Sequence, residues 1–161
     1  MYFFDRNSGP GNTGSESVTH QPIKCLKKVL LVDDDTVTNL MHRRVMERSG
    51  LVEQIEVATD GLLAIDHLEA MRAQNGIQPE LILLDINMPR MNGFEFLQAY
   101  AKLDPLPLAQ QIIIMLSTSL LRADRSRAEA DPNVHRFANK PMRLEDMLNF
   151  FEDYQKYAAR T

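Results

Sequence analysis

The chain has 161 residues and a mass of 18.4 kDa, enough for one ordinary α/β domain with a tail but not for a second globular domain. Its formal net charge of −4, with no run of more than two Lys or Arg, argues against nucleic acid as the main partner. Because no apolar run approaches the roughly 20 residues of a membrane span, and the lone Cys25 cannot form an internal disulfide, we expect a cytoplasmic protein without a membrane segment.

Residues 1–24 differ in composition from the rest of the chain. They are rich in Gly, Pro, Ser, Thr and Asn, a mixture that buries too little apolar surface to offset chain entropy. We therefore predict a flexible leader over residues 1–24 and one domain over residues 25–161.

Five short apolar runs alternate with amphipathic stretches from Lys27 onward. The runs are Val29–Val32, Ile55–Ala58, Leu81–Leu84, Ile112–Leu116 and Val134–Asn139. The best of them are continuous rather than alternating, as in strands buried on both faces. This pattern predicts an α/β fold: a doubly wound, five-stranded parallel sheet of strand order 2-1-3-4-5, as in flavodoxin-like proteins.

The helices between these strands are predicted from apolar residues at helical spacing. The first carries Val37, Leu40, Met41 and Val45 and ends at Gly50. The second runs from Gly61 to Ala73 with Leu62, Ala64, Ile65 and Leu68 on its inner stripe. A short polar helix covers about residues 121–130, and the last helix carries Leu144, Met147, Leu148, Phe151 and Tyr154.

Polar residues stand just beyond the carboxyl ends of four strands. They are Asp33 to Asp35 after the first, Asp85 after the third, Ser117 and Thr118 after the fourth, and Lys140 after the fifth; the second strand offers nothing comparable. Ligands of doubly wound sheets bind at these ends, so we expect the residues to converge on one crevice. Asp35 also fits a helix cap.

Carboxylates crowded into one crevice repel one another unless a cation holds them. An oxygen-only ligand set suits Mg²⁺, which retains several waters and often pairs with a phosphate. A Lys and a hydroxyl opposite the metal could then hold a phosphoryl group on the central carboxylate. The pattern therefore favours nucleophilic catalysis by an aspartate, with Mg²⁺ and Lys140 stabilising charge on the phosphoryl oxygens.

Four segments carry these residues in a recognisable order. They are Val29 to Asp35, Leu81 to Pro89 with Asn92-Gly93, Ile112 to Ser119, and Phe137 to Pro141. Over about residues 27–157 the chain resembles the receiver domains of bacterial two-component response regulators, in the single-domain form without an output domain. The resemblance implies a flavodoxin-like fold and Mg²⁺ as cofactor.

The resemblance also implies a role for each site residue. Asp85 would be the phosphoacceptor, Asp34 a direct Mg²⁺ ligand, Asp33 a ligand through water, Asn87 a ligand through its backbone carbonyl, Ser117 and Phe137 the switch residues, and Lys140 the phosphate partner. Thr118 is the nearest rival of Ser117. The bond before Pro141 is expected to be cis.

Three functions are compatible with the pattern. The first is a response regulator that receives its phosphoryl group from a sensor histidine kinase or a histidine phosphotransfer protein, switches conformation, and docks a downstream protein on the face of its fourth and fifth strands and helices. The second is a haloacid dehalogenase-type phosphatase, because Asp33, Asp35 and Val37 match that family's nucleophile motif. The third is a binding module of receiver fold that works without phosphate.

Overall fold

A computed structural model of the chain describes residues 24–103 and 111–160. Strands and helices alternate through both ranges. The elements are β1 (Leu26–Val32), α1 (Thr36–Ser49), β2 (Val52–Ala58), α2 (Gly61–Ala73), β3 (Leu81–Asp85), α3 (Gly93–Tyr100), β4 (Ile112–Ser117), α4 (Arg122–Ala130), β5 (Val134–Asn139) and α5 (Leu144–Ala158). All but the last residue of the predicted leader lies outside the described residues, so the leader stays a prediction.

The five strands form one parallel sheet in the order β2-β1-β3-β4-β5. Strands β3 and β4 are buried at every residue, which explains their continuous apolar sequences. The edge strand β2 is half-buried or exposed at six of its seven residues and begins at Val52, three residues before the predicted start. The predicted fold class and strand order are confirmed.

Side chains that alternate along each strand supply two separate cores. On one face, Leu30 and Val32 of β1 pack with residues of α2 and α3. On the other face, Val29 and Leu31 pack with Met46 of α1 and with residues of α5. Because successive residues of a strand point to opposite faces, one short apolar run serves both layers of helices.

Helix α1 is oriented differently from the prediction. Val37, Leu40 and Met41, which were expected to face the core, are 65%, 50% and 49% exposed. The buried positions are instead Asn39, His42 and Met46. The predicted core role of Met41 is therefore wrong. Asn39 donates a hydrogen bond and His42 accepts one on the inner side of the helix, so a partly polar face is buried and the apolar face is exposed to solvent.

Two other helices show smaller differences of the same kind. Leu62 of α2 and Leu144 and Leu148 of α5 are 40%, 42% and 47% exposed, so their predicted inward positions are wrong. The remaining predicted residues of both stripes are buried. They are Ala64, Ile65, Leu68, Met147, Phe151 and Tyr154.

Local signals in the sequence set the helix ends. The Asp35 side chain accepts a hydrogen bond of 2.7 Å from the Thr38 backbone N–H, which confirms its capping role. Gly50 ends α1 at a φ of 66°, a left-handed conformation that favours glycine. Asn92 and Glu95 form a reciprocal capping box at the start of α3.

The orientation of α1 can be tested by comparing two methionines of this helix, one buried and one exposed. Met46→Ala should lower the free energy of unfolding by about 2–5 kcal/mol, because a fully buried side chain leaves a cavity. Met41→Ala, on the exposed face of the same helix, should change it by less than about 1 kcal/mol. Urea unfolding of both variants measures the difference, and equal losses would contradict the orientation of α1.

Candidate functional site

The sheet brings the predicted polar residues to one edge. Asp33 follows the last residue of β1, Asp85 is the last residue of β3, and Ser117 is the last residue of β4. These three strands are neighbours in register, with Val32 opposite Leu84 and Asp85 opposite Leu116. The carboxyl ends of parallel strands therefore place the three polar side chains side by side.

Three carboxylates form a compact acidic cluster at this edge. Oxygen atoms of Asp33, Asp34 and Asp85 all lie within 4.8 Å of one another. Asp33 and Asp85 are buried, whereas Asp34 is exposed at the mouth. Both oxygens of Asp33 accept hydrogen bonds, one from the Asp35 N–H at 2.9 Å and one from Lys140 at 2.5 Å. Asp34 makes no ion pair with any residue of the described ranges.

The Lys140 ammonium lies between two members of this cluster. Its Nζ is 2.5 Å from Asp33 Oδ2 and 2.9 Å from Asp85 Oδ1, and its side chain is only 9% exposed. Three carboxylates against one ammonium leave a net charge of about −2 when all four groups are ionised. A divalent cation matches that charge.

Burial and pairing act on this pair in opposite directions. Burial raises the pKa of Asp85 above its ordinary value, although the hydrogen bond from Lys140 works to lower it. Burial alone would lower the pKa of Lys140, but its bonds to Asp33 and Asp85 raise it. Lys140 is thus a permanent cation beside a carboxylate that is more basic than usual.

Backbone contacts hold Lys140 in this position. Its N–H donates to the Ser117 carbonyl at 2.9 Å, which ties the end of β5 to the end of β4. The bond to Pro141 is cis, as expected. The N–H of Met142 then donates to Nε2 of His42 on α1 at 3.2 Å.

The predicted switch residues are both buried. Ser117 is 1% exposed, and its Oγ accepts a 2.9 Å hydrogen bond from the Ser119 N–H, whereas the rival Thr118 is exposed. Phe137 is 8% exposed, with the Arg125 guanidinium 5.6 Å from its ring centre. Phe137 is therefore already buried in this state.

The loop that follows Asp85 is held by contacts that the sequence did not reveal. Asp60, just beyond β2, is 2% exposed; its Oδ1 caps α2, and its Oδ2 accepts from two nitrogens of the Arg90 guanidinium in this loop. The expectation that the second strand contributes nothing comparable is wrong in this respect. The Thr59-Asp60-Gly61 sequence before a helix signals the cap, but nothing in the sequence signals the pairing with Arg90.

Two glycines let this loop approach its neighbours. The Gly61 N–H donates to the Met91 carbonyl at 3.0 Å. A Cβ on Gly93 would lie 2.3 Å from the Asp85 carbonyl oxygen, so only glycine fits at that position. Asn87, the expected carbonyl ligand, is exposed in the same loop, two residues beyond Asp85.

Comparison with known proteins agrees with this geometry. The family model of the response regulator receiver domain matches residues 29–152. The crystal structure of a two-component response regulator from Cytophaga hutchinsonii is 30% identical, has a TM-score of 0.76, and aligns over 82% of this chain and 98% of its own. The Mn²⁺-bound form of response regulator Rcp1, a Synechocystis protein, is 26% identical with a TM-score of 0.62, over 83% and 92% of the two chains.

A third comparison concerns an enzyme. The protein-glutamate methylesterase/protein-glutamine glutaminase of Hydrogenovibrio crunogenus is 30% identical over 134 residues, which are 83% of this chain and 32% of that protein. The chain thus spans about a third of this relative's length. Receiver domains accept phosphoryl groups in two-component signalling. The 134 residues that this relative shares with the chain therefore correspond to a phosphoacceptor domain.

Within the described ranges, none of the helices has the length and apolar content needed to cross a bilayer. The acidic cluster with its buried Lys140, the strand order and the match over residues 29–152 all lead to one conclusion. The chain belongs to the response regulator receiver domain family and is a phosphoacceptor switch of two-component signalling.

Proposed function

We propose that the phosphoryl group is accepted by Asp85, from a sensor histidine kinase or a histidine phosphotransfer protein. The observation that carries this proposal is the position of its carboxylate at the end of the central strand β3, 2.9 Å from the Lys140 ammonium and beside Asp33 and Asp34. Asp33 also contacts Lys140, but both of its oxygens already accept hydrogen bonds.

In the transfer step, a carboxylate oxygen of Asp85 attacks the donor's phosphorus. A P–O bond to Asp85 forms, the P–N bond to the donor histidine breaks, and the released imidazole takes up a proton. Lys140, already held within the site, stabilises negative charge on the phosphoryl oxygens.

The donor set fits Mg²⁺. Asp34 has no ion-pair partner among the described residues and is free to bind the metal directly. Asp33, with both oxygens already hydrogen-bonded, suits a contact through water. Asp85 and the Asn87 carbonyl would complete the protein ligands, and bound Mg²⁺ supplies charge neutralisation to the phosphoryl oxygens. The Mn²⁺-bound form of Rcp1 supports a divalent cation in a relative.

Ser117 is the residue that we assign to the switch. Its hydroxyl accepts the hydrogen bond from the Ser119 N–H and still has its own proton to donate to a phosphoryl oxygen on Asp85. A shift of Ser117 toward that oxygen would be passed through the same hydrogen bond to the loop between β4 and α4. Phe137 is already enclosed, so its part would be to follow the loop as a packed residue rather than to move in from solvent.

The exposed apolar face of α1 is the docking site that we propose for the phosphodonor. We define this face by Val37, Leu40 and Met41; the exposed Leu144 and Leu148 belong to α5, which packs against α1. The face begins at Val37, three residues after Asp34 of the acidic cluster, so a partner seated on it would lie near the mouth of the site. We assign it to the helix that bears the donor histidine, because an apolar helix face pairs best with another amphipathic helix.

A downstream partner on the α4, β5 and α5 face remains part of the proposal. Its support is the pair Leu120 and Leu121, which are 93% and 65% exposed just before α4, in the loop that follows Ser117. The net charge of −4 favours a protein over nucleic acid as this partner. The cytoplasmic location is also part of the proposal.

The phosphatase alternative has less support. It would use Asp33 as nucleophile and Asp35 as acid, but Asp35 is exposed and caps α1, and Lys140 pairs with Asp85 as well as Asp33. The phosphate-independent module is disfavoured because the acidic cluster and its cation are complete.

Phosphorylation can be tested with a small donor. Wild-type protein incubated with acetyl phosphate and Mg²⁺ should gain about 80 Da, the mass of one phosphoryl group, in intact-mass analysis. Asp85→Asn should gain nothing, because an amide cannot replace the nucleophilic carboxylate. Asp66→Asn, an exposed Asp of α2, is the matched control and should label like wild type. Labelling of Asp85→Asn at the wild-type level would overturn the assignment.

The docking face gives a second test. Leu40→Ser should slow phosphoryl transfer from a purified, phosphorylated histidine kinase by about five-fold or more, the effect of losing one apolar contact at an interface. Labelling by acetyl phosphate, which needs no docking, should be unchanged. Leu120→Ser removes an exposed leucine from the other face and is the control. Slower transfer to Leu120→Ser but not to Leu40→Ser would place the donor on the opposite face.

A further inference from the structure

The inner face of α1 carries polar groups directed at the site. Asn39 donates from its side-chain nitrogen to the Asp33 carbonyl at 2.8 Å. His42, one turn further along the helix, is 1% exposed and accepts the Met142 N–H. A helix packed only for stability would bury apolar residues at these positions. Helix α1 instead exposes three apolar residues, Val37, Leu40 and Met41.

The contact of His42 falls on the backbone that follows Lys140. On one side, the Lys140 N–H is fixed by the Ser117 carbonyl of β4. On the other side, two residues later, the Met142 N–H is fixed by His42 Nε2 of α1, and the Met142 side chain is buried. The backbone that carries the ammonium is thus held at both ends, once by the sheet and once by α1.

The chemistry of the contact requires a neutral imidazole. An imidazole accepts through Nε2 only when its proton is on Nδ1, and an imidazolium cannot accept at all. Burial lowers the pKa of His42, and the nearby Lys140 ammonium lowers it further, against a smaller opposing influence of Asp33. The neutral, accepting form is therefore favoured in the folded protein.

We propose that His42 is a positioning residue for Lys140: by accepting the Met142 N–H, it fixes the turn after Lys140 and so holds the ammonium between Asp33 and Asp85. The inference rests on the proposed function for the meaning of that position, since Lys140 is the residue assigned to the phosphoryl oxygens. The position of the Lys140 ammonium can itself be measured without phosphate.

The first readout is the reactivity of the Lys140 amine. Competitive acetylation by acetic anhydride, followed by peptide mass analysis, compares Lys140 with the exposed Lys156 as internal reference. In His42→Leu, which keeps apolar volume but cannot accept, Lys140 should react about five-fold faster relative to Lys156, the factor that corresponds to one lost buried hydrogen bond. In His42→Gln, whose amide oxygen can accept, it should stay within about two-fold of wild type.

The second readout is the initial rate of labelling by acetyl phosphate and Mg²⁺. It should fall about ten-fold in His42→Leu, since a misplaced catalytic cation is costly, and be largely restored in His42→Gln. Met46→Ala, a buried residue of the same helix face without polar contacts to the turn, controls for loss of stability and should leave the reactivity ratio unchanged.

Each outcome decides the question. The proposal is overturned if Lys140 reactivity in His42→Leu stays at the wild-type value, if His42→Gln behaves like His42→Leu, or if Met46→Ala shows the same increase. Absence of labelling in wild-type protein would instead contradict the proposed function, and the acetylation series would still decide the role of His42.

Discussion

The structure depends on one ammonium placed between two carboxylates. A parallel sheet with acidic residues at the ends of adjacent strands brings like charges together, and burial of Asp33 and Asp85 increases the cost of that arrangement. Lys140 offsets part of this cost at 2.5 and 2.9 Å, but a negative charge remains at the mouth on Asp34. The residual charge suits the proposed binding of a divalent cation, which would in turn favour a phosphoryl group at the same place.

Most of the surrounding structure keeps these groups in place. The β4 and β5 ends are joined through the Ser117 carbonyl, the loop after Asp85 is held by Asp60 and Arg90, and α1 contacts both Asp33 and the turn after Lys140. The proposed switch acts through the hydrogen bond from the Ser119 N–H to the Ser117 hydroxyl, which links the end of β4 to the loop before α4. Helix α1 therefore supports the site through its inner face, and its outer face exposes Val37, Leu40 and Met41, the docking face that we propose for the phosphodonor.

The sequence predicts the sheet and the acidic cluster well because both follow from local patterns. Continuous apolar runs identify β3 and β4, and a parallel order brings their polar ends together. It does not predict the orientation of α1, because periodicity identifies an apolar stripe without showing whether the core or a partner covers it. Contacts such as that of His42 with Met142, 100 residues apart in the chain, depend on the tertiary fold and leave no local signal. The burial of Phe137 depends in the same way on the packing of α4.

Binding of Mg²⁺ in the absence of any phosphodonor tests the central claim most directly. With Mg²⁺ in large excess, the midpoint of thermal unfolding of the wild-type protein should rise by about 5 °C or more over that in a chelator, because a ligand bound only to the folded state stabilises it. Asp34→Asn should lose this rise, and Asp66→Asn, away from the cluster, should retain it. A wild-type midpoint that ignores Mg²⁺, or an undiminished rise in Asp34→Asn, would contradict the account of the acidic cluster as a cation-dependent phosphoryl site.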